Sequence, residues 1–178
     1  WTARYGGADN VLGDANVRLI DINRANVLGL DESDPNAADD ILVKELHLPV
    51  GRKVNFKFRS QDVLHSAYMP HFRAQRNCVP GMITEFTFKP TVTTAEMRLR
   101  PEVIEKVQRT NALRAERAAN GEPNSDPWEF DYILLCNKIC GKSHYNMQMK
   151  IIVESEEDYQ AWLESQQTFS QTIASMGQ

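Results

Sequence analysis

Residues 53–59 alternate strictly: Val54, Phe56 and Phe58 fall on one side, Lys53, Asn55, Lys57 and Arg59 on the other. A period of two belongs to a strand with one buried and one wet face, as in antiparallel sheets. Residues 85–89 repeat the pattern with Phe86 and Phe88 on the apolar side and stop at Pro90. Residues 41–47 alternate as well, until Leu48-Pro49-Val50-Gly51-Arg52 breaks them. Fainter signals over 1–5, 17–22 and 92–97 predict further strands. Two runs, 130–135 and 148–153, are short and mostly apolar, and each reads as a buried strand.

Over 99–120 the period changes. Val103, Ile104, Val107 and Leu113 fall near helical spacing among Arg, Glu and Lys; Pro101 suits a first turn and Gly121 a stop. Another helix is expected after Ser155, a good N-cap, with Glu156, Glu157 and Asp158 where the helix dipole favours negative charge. Residues 31–40 are rich in Asp, contain no basic residue, and predict a solvated loop. Residues 166–178 predict a polar, frayed tail. Many short strands with turns between them and one terminal helix predict a mainly β domain, a sandwich or barrel of antiparallel strands.

Composition narrows the function more than the fold. The 178 residues suffice for one domain with a real core. A net charge of −4 argues against nucleic acid, which needs a basic face, and suits a basic protein partner through long-range steering. No run approaches the roughly 20 apolar residues of a membrane-spanning helix, and no signal peptide is apparent. The chain opens on Trp1 rather than Met, so it is expected to be a piece or a processed product of a longer protein. Three cysteines make no disulfide framework; Cys78 stands apart and is expected to be a small buried hydrophobe.

Candidate chemistry is concentrated in 136–147, between the two buried runs. Cys136, Cys140, His144 and Met147 offer two thiolates, an imidazole and a thioether, a set that suits copper, with zinc as the competitor. Strands at both ends give the loop a rigid frame. A second segment, Ser60-Gln61-Asp62-Val63-Leu64-His65-Ser66, follows the strand over 53–59 and carries a histidine at its end. His65 and His71 with the two cysteines also fit a structural zinc spacing, which leaves His144 and Met147 without a role. Otherwise His47 and His71 read as ordinary surface or core histidines.

These residues carry a resemblance. Cys136, Cys140, Gly141, His144 and Met147 match C-x-x-x-C-G-x-x-H-x-x-M, Asp62 to Ser66 match D-V-[IL]-H-S, and Pro80-Gly81 match a later P-G. All three resemble the copper-binding CuA domain of subunit II of respiratory cytochrome c oxidases, over most of the chain. The resemblance implies a cupredoxin-like Greek-key barrel over 1–165, with 99–129 as a helical insertion where the family has a short hairpin, and a tail over 166–178. It implies two copper ions bridged by Cys136 and Cys140. His65 and His144 would each hold one copper, with Met147 and the main-chain carbonyl of Lys138 as weaker ligands. The implied function is electron transfer from cytochrome c, or a haem c domain, to haem in subunit I. The implied place is the outer face, periplasmic or intermembrane-space, of an energy-transducing membrane, with anchoring helices outside this chain.

Two other readings stay open: the CuA domain of a nitrous-oxide reductase and a structural zinc-binding module. The chain also departs from the family. Lys138 stands where the family has a Glu whose side chain helps hold magnesium against subunit I, and Gln75-Arg76-Asn77 replaces K-[TS]-D. Both changes imply a rewired contact with subunit I.

Overall fold

The computed structural model describes residues 1–123 and 126–176. Strand β1 (Ala3–Tyr5) pairs antiparallel with β2 (Ile41–Val43). After a break at Lys44 and Glu45 the chain continues as β3 (Leu46–Pro49), whose residues are all buried. The single strand expected over 41–47 is therefore two, in different sheets. β4 (Val54–Phe58), β5 (His65–Met69), β6 (Ala74–Cys78) and β7 (Thr84–Phe88) follow. Next come helices α1 (Thr94–Arg98) and α2 (Pro101–Ala119), strands β8 (Tyr132–Cys136) and β9 (Gln148–Glu154), and helices α3 (Glu156–Ser165) and α4 (Phe169–Met176).

The architecture is mainly β. Five strands form one mixed sheet in the order β3-β9-β8-β5-β6, with β3 parallel to β9 and every other pair antiparallel. The alternating strands β4 and β7 form a two-stranded leaf with Phe56 opposite Phe86 and Lys57 opposite Glu85. Their phenylalanines turn to the large sheet. The Phe72 ring lies 4.8 Å from both Phe88 and Tyr132 and so joins leaf to sheet. Between them lie Leu48, Met69, Tyr132, Leu134, Ile151 and Val153, all buried. Cys78 is also fully buried, as a small hydrophobe should be.

This topology sets up one end of the sheet. Because β5, β6, β8 and β9 are antiparallel neighbours, the start of β5, the end of β6, the end of β8 and the start of β9 lie together. The loops 59–64, 79–83 and 137–147 therefore share that end.

Several expectations are corrected. Residues 17–22 are not a strand but 3-10 turns, Val17–Leu19 and Ile22–Arg24, in which the side chains of Asn16 and Asp21 accept from the Arg18 and Asn23 amides. Residues 92–97 carry α1 instead of a strand. The Thr93 hydroxyl accepts from the Glu96 amide and the Glu96 carboxylate from the Thr93 amide, a capping box that outweighs the weak alternation. Buried Thr94 places its hydroxyl where the Val153 amide donates to it at 2.8 Å, so α1 is pinned on β9.

Helix α2 follows expectation, with Pro101 in its first turn and Gly121 at φ +73 just past its end. Asn111 clamps it to the segment before β8, donating to the Trp128 carbonyl at 2.9 Å and accepting from the Trp128 amide at 2.6 Å. Helix α3 begins where expected, with the Ser155 hydroxyl accepting from the Asp158 amide.

Two further expectations hold only in part, for a shared reason: most of 31–40 is exposed or half-buried turn, as expected, but its end is not. In the acidic stretch 31–40, Asp40 is fully buried and paired with Arg4, and it accepts from the Gly13 amide at 3.2 Å. Burial pushes the Asp40 carboxyl up, against the pull of Arg4. The expected polar tail carries α4. The Phe169 amide donates to the Asp40 carbonyl at 2.7 Å, and the buried Phe169 ring joins Leu30 and Ala37 in a second small core. Phe169 and Ile173, four apart on one helix face, were the overlooked signal. Truncating Phe169 to Ala is expected to lower unfolding stability by about 3 kcal/mol. Urea unfolding checks this, since a frayed residue would cost no more than about 0.5 kcal/mol.

Candidate metal centre

The site is assembled by main-chain hydrogen bonds before any ligand chemistry. Cys136 closes β8, and its amide donates to the Met147 carbonyl at 3.0 Å, just before β9 starts. The next amide, Asn137, donates to the Ser66 carbonyl on β5 at 2.9 Å. The loop between is folded by a 3-10 turn, His144–Asn146, with the His144 amide donating to the Gly141 carbonyl. Gly141 has φ +147, a conformation that L side chains rarely adopt, which explains a glycine directly after the second cysteine.

The six residues singled out in the sequence come together. Cys136 Sγ lies 3.7 Å from His65 Nδ1, 3.2 Å from the Lys138 carbonyl oxygen and 3.7 Å from Cys140 Sγ. Cys140 Sγ lies 3.6 Å from His144 Nδ1 and 3.7 Å from Met147 Sδ. Ligand atoms of His65, Cys136 and Cys140 all fall within 4.8 Å of one another, close enough to hold a metal ion. His71 does not join them. It follows β5 at the far end from His65, on the order of 15 Å along the strand, and packs edge-on against Phe130 and Tyr132. The zinc set of His65, His71 and the two cysteines is therefore not assembled. His47 is a core histidine, stacked on Trp162 at 3.9 Å and bonded to Glu154.

Electrostatics prepare the thiols. Burial opposes ionisation of Cys136, but main-chain hydrogen bonds at Ser66 and Lys138, with His65 and His144 beside it, outweigh burial and bring the thiol down to about 6. Desolvation and the neighbouring Cys136 push Cys140 up. Burial lowers His65, yet Asp62 and Cys136 more than offset it and raise its pKa.

Two contributors were not assigned from the sequence. Asp62 Oδ1 sits 2.8 Å from His65 Nε2, so a proton on Nε2 leaves the Nδ1 lone pair facing the sulfurs. Its place three residues before the histidine was the available signal. Trp1 lies 146 positions from Met147 in the sequence. Its indole N–H donates to the Met147 carbonyl at 3.3 Å and its ring packs edge-on against His65.

No family model matches the chain. Among curated proteins, the alternative cytochrome c oxidase subunit 2 of Bradyrhizobium diazoefficiens is 37% identical over 172 residues, 96% of this chain and 48% of that protein. The chain is a homologue of cytochrome c oxidase subunit 2. Cytochrome c oxidase subunit 2 of Thermostichus vulcanus is 25% identical over 73% of this chain and 28% of its own. The chain thus spans about half the length of the first relative and less of the second. Among solved structures, the periplasmic domain of subunit II of the cytochrome oxidase of Bradyrhizobium japonicum aligns with TM-score 0.47 and 19% identity, over 70% of this chain and 64% of that one.

Replacing Asp62 with Ala is expected to weaken metal affinity by about 10- to 100-fold, the usual effect of removing the partner of a ligating histidine. Competition with a chelator measures it, and an unchanged affinity would remove Asp62 from the site.

Proposed function

We propose that this chain is the electron-accepting copper domain of a haem–copper cytochrome c oxidase. One observation carries the reading: six donors from two segments about 70 positions apart meet at one end of the sheet. Two thiols, two imidazoles, a thioether and a carbonyl form a soft set that a closed four-ligand zinc site does not need. Cys136 and Cys140 would bridge two copper ions, His65 and His144 would each hold one, and Met147 and the Lys138 carbonyl would complete them. Copper in that setting supplies a one-electron couple whose charge the shared sulfurs spread over both metals.

The protein's own part is to hold these donors still. The end of β8 fixes Cys136, the 3-10 turn at His144–Asn146 folds the loop that carries Cys140, Asp62 orients His65, and Trp1 holds the Met147 main chain. Electrons would arrive from cytochrome c or a haem c domain and leave to haem in subunit I, where oxygen is reduced. The domain would sit on the outer face of an energy-transducing membrane; no described helix is long and apolar enough to cross one. The names of its curated relatives favour the oxidase over nitrous-oxide reductase.

Loaded protein is expected to hold two coppers per chain and to give a binuclear copper EPR spectrum. Cys136→Ser and Cys140→Ser should each abolish that spectrum, because a hydroxyl is a hard donor that does not bridge copper as a thiolate does. One zinc per chain and no colour would refute the reading. Met147→Leu should keep both coppers and shift the reduction potential, since a weak thioether tunes more than it holds. Loss of copper from folded Met147→Leu would contradict that role.

A further inference from the structure

His65 is oriented by a contact that is weak by itself. The Asp62 side chain beside its Nε2 is 70% exposed, and water competes for an exposed carboxylate. The pair therefore depends on what holds the loop 59–64 in place. Inside the loop the Ser60 hydroxyl donates to the Val63 carbonyl, and Ser60 bridges to Pro80. Two side chains also reach from the loop to the segment between β1 and β2. The Gln61 side-chain amide donates to the Val27 carbonyl at 2.8 Å, and the Arg59 guanidinium donates to the Ala15 carbonyl at 3.5 Å. That segment is tightly built. Buried Asn26 donates to the Leu30 carbonyl at 2.9 Å and accepts from the Leu30 amide at 2.7 Å. The Asn16 amide donates to the Gly29 carbonyl at 2.7 Å, and a Cβ on Gly29 would lie 2.1 Å from the Asn16 carbonyl oxygen. Leu30 itself is fully buried in the small core with Ala37 and Phe169.

We infer that Gln61 is a positioning residue for the metal centre. Its hydrogen bond hangs the Asp62 loop from the turns over 21–30. The Asp62 carboxylate then stays on His65 Nε2, and the Nδ1 lone pair stays on the sulfurs. Gln61 is not one of the six donors and acts on them through Asp62. By this route the core of Leu30, Ala37 and Phe169 bears on a metal ligand. Of the two ties, the bond from Gln61 is well inside hydrogen-bond range, whereas the one from Arg59 is at its limit. The inference rests on the copper reading above only where metal is loaded; in the metal-free chain it concerns the His65 ring alone.

The test is a double-mutant cycle on the 178-residue chain. Gln61→Met keeps the length of the side chain and removes its donor. Gln61 is exposed, so the variant is expected to fold with an unchanged thermal midpoint. In the metal-free chain, proton–nitrogen correlation NMR at a pH where His65 is neutral reads its tautomer. Gln61→Met is expected to move population from Nε2–H toward Nδ1–H. In the copper-loaded chain, chelator competition is expected to show affinity lower by about three- to tenfold, the reach of one hydrogen bond. In an Asp62→Ala background, Gln61→Met is expected to add nothing, because residues that act through one another are not additive. Full additivity with Asp62→Ala, or a tautomer and affinity equal to those of the unsubstituted chain, overturns the inference. Copper content and EPR of the unsubstituted chain test the copper reading separately; if that reading fails, the tautomer of the metal-free chain still decides on Gln61.

Discussion

Two adjacent amides at the end of β8 hold the functional end of this molecule together. Cys136 N–H reaches the carbonyl of Met147 and Asn137 N–H reaches the carbonyl of Ser66. The first ties the loop that carries four donors shut at its base. The second brings the strand that begins with His65 alongside. Both bonds continue ladders already running through the sheet, so the donor atoms inherit the rigidity of β5, β8 and β9. A metal held on such a frame meets a geometry that the protein imposes.

The rest of the fold protects that frame. The β4–β7 leaf covers the sheet through stacked phenylalanines, and α1 is pinned to β9 by Thr94. The long N-terminal excursion is closed by buried Asp40, which binds Arg4 on β1 and whose carbonyl receives the start of α4. A buried carboxylate left without its guanidinium would be strongly destabilising, so this pair couples the two ends of the chain to one another. Helix α2 is tied through Asn111 to Trp128, close before β8, and so acts on the sheet from its flank.

Lys138 meets the site through its main chain. Its carbonyl lies 3.2 Å from Cys136 Sγ, while its side chain is exposed.

The sequence by itself determined the donor set, the two strands that bracket its loop, β8 and β9, and the covering leaf; it did not show β5 and β6. Cysteines and a histidine at fixed offsets between two apolar runs leave few chemistries open, and the alternation of 53–59 and 85–89 leaves one pairing face. Those signals are local and periodic, which is why they can be read along the chain. Tertiary structure alone decided what depends on residues far apart. Trp1 meets Met147 and His65, and Asp40 is a buried ion-pair partner rather than a solvated acid. Residues 169–176 form a packed helix because Leu30 and Ala37 receive Phe169. In 92–97 a capping box overrode a weak alternation, and in 41–47 one strand signal was divided between two sheets. Each of these outcomes is set by burial against a distant partner, and burial has no period that a local pattern can display.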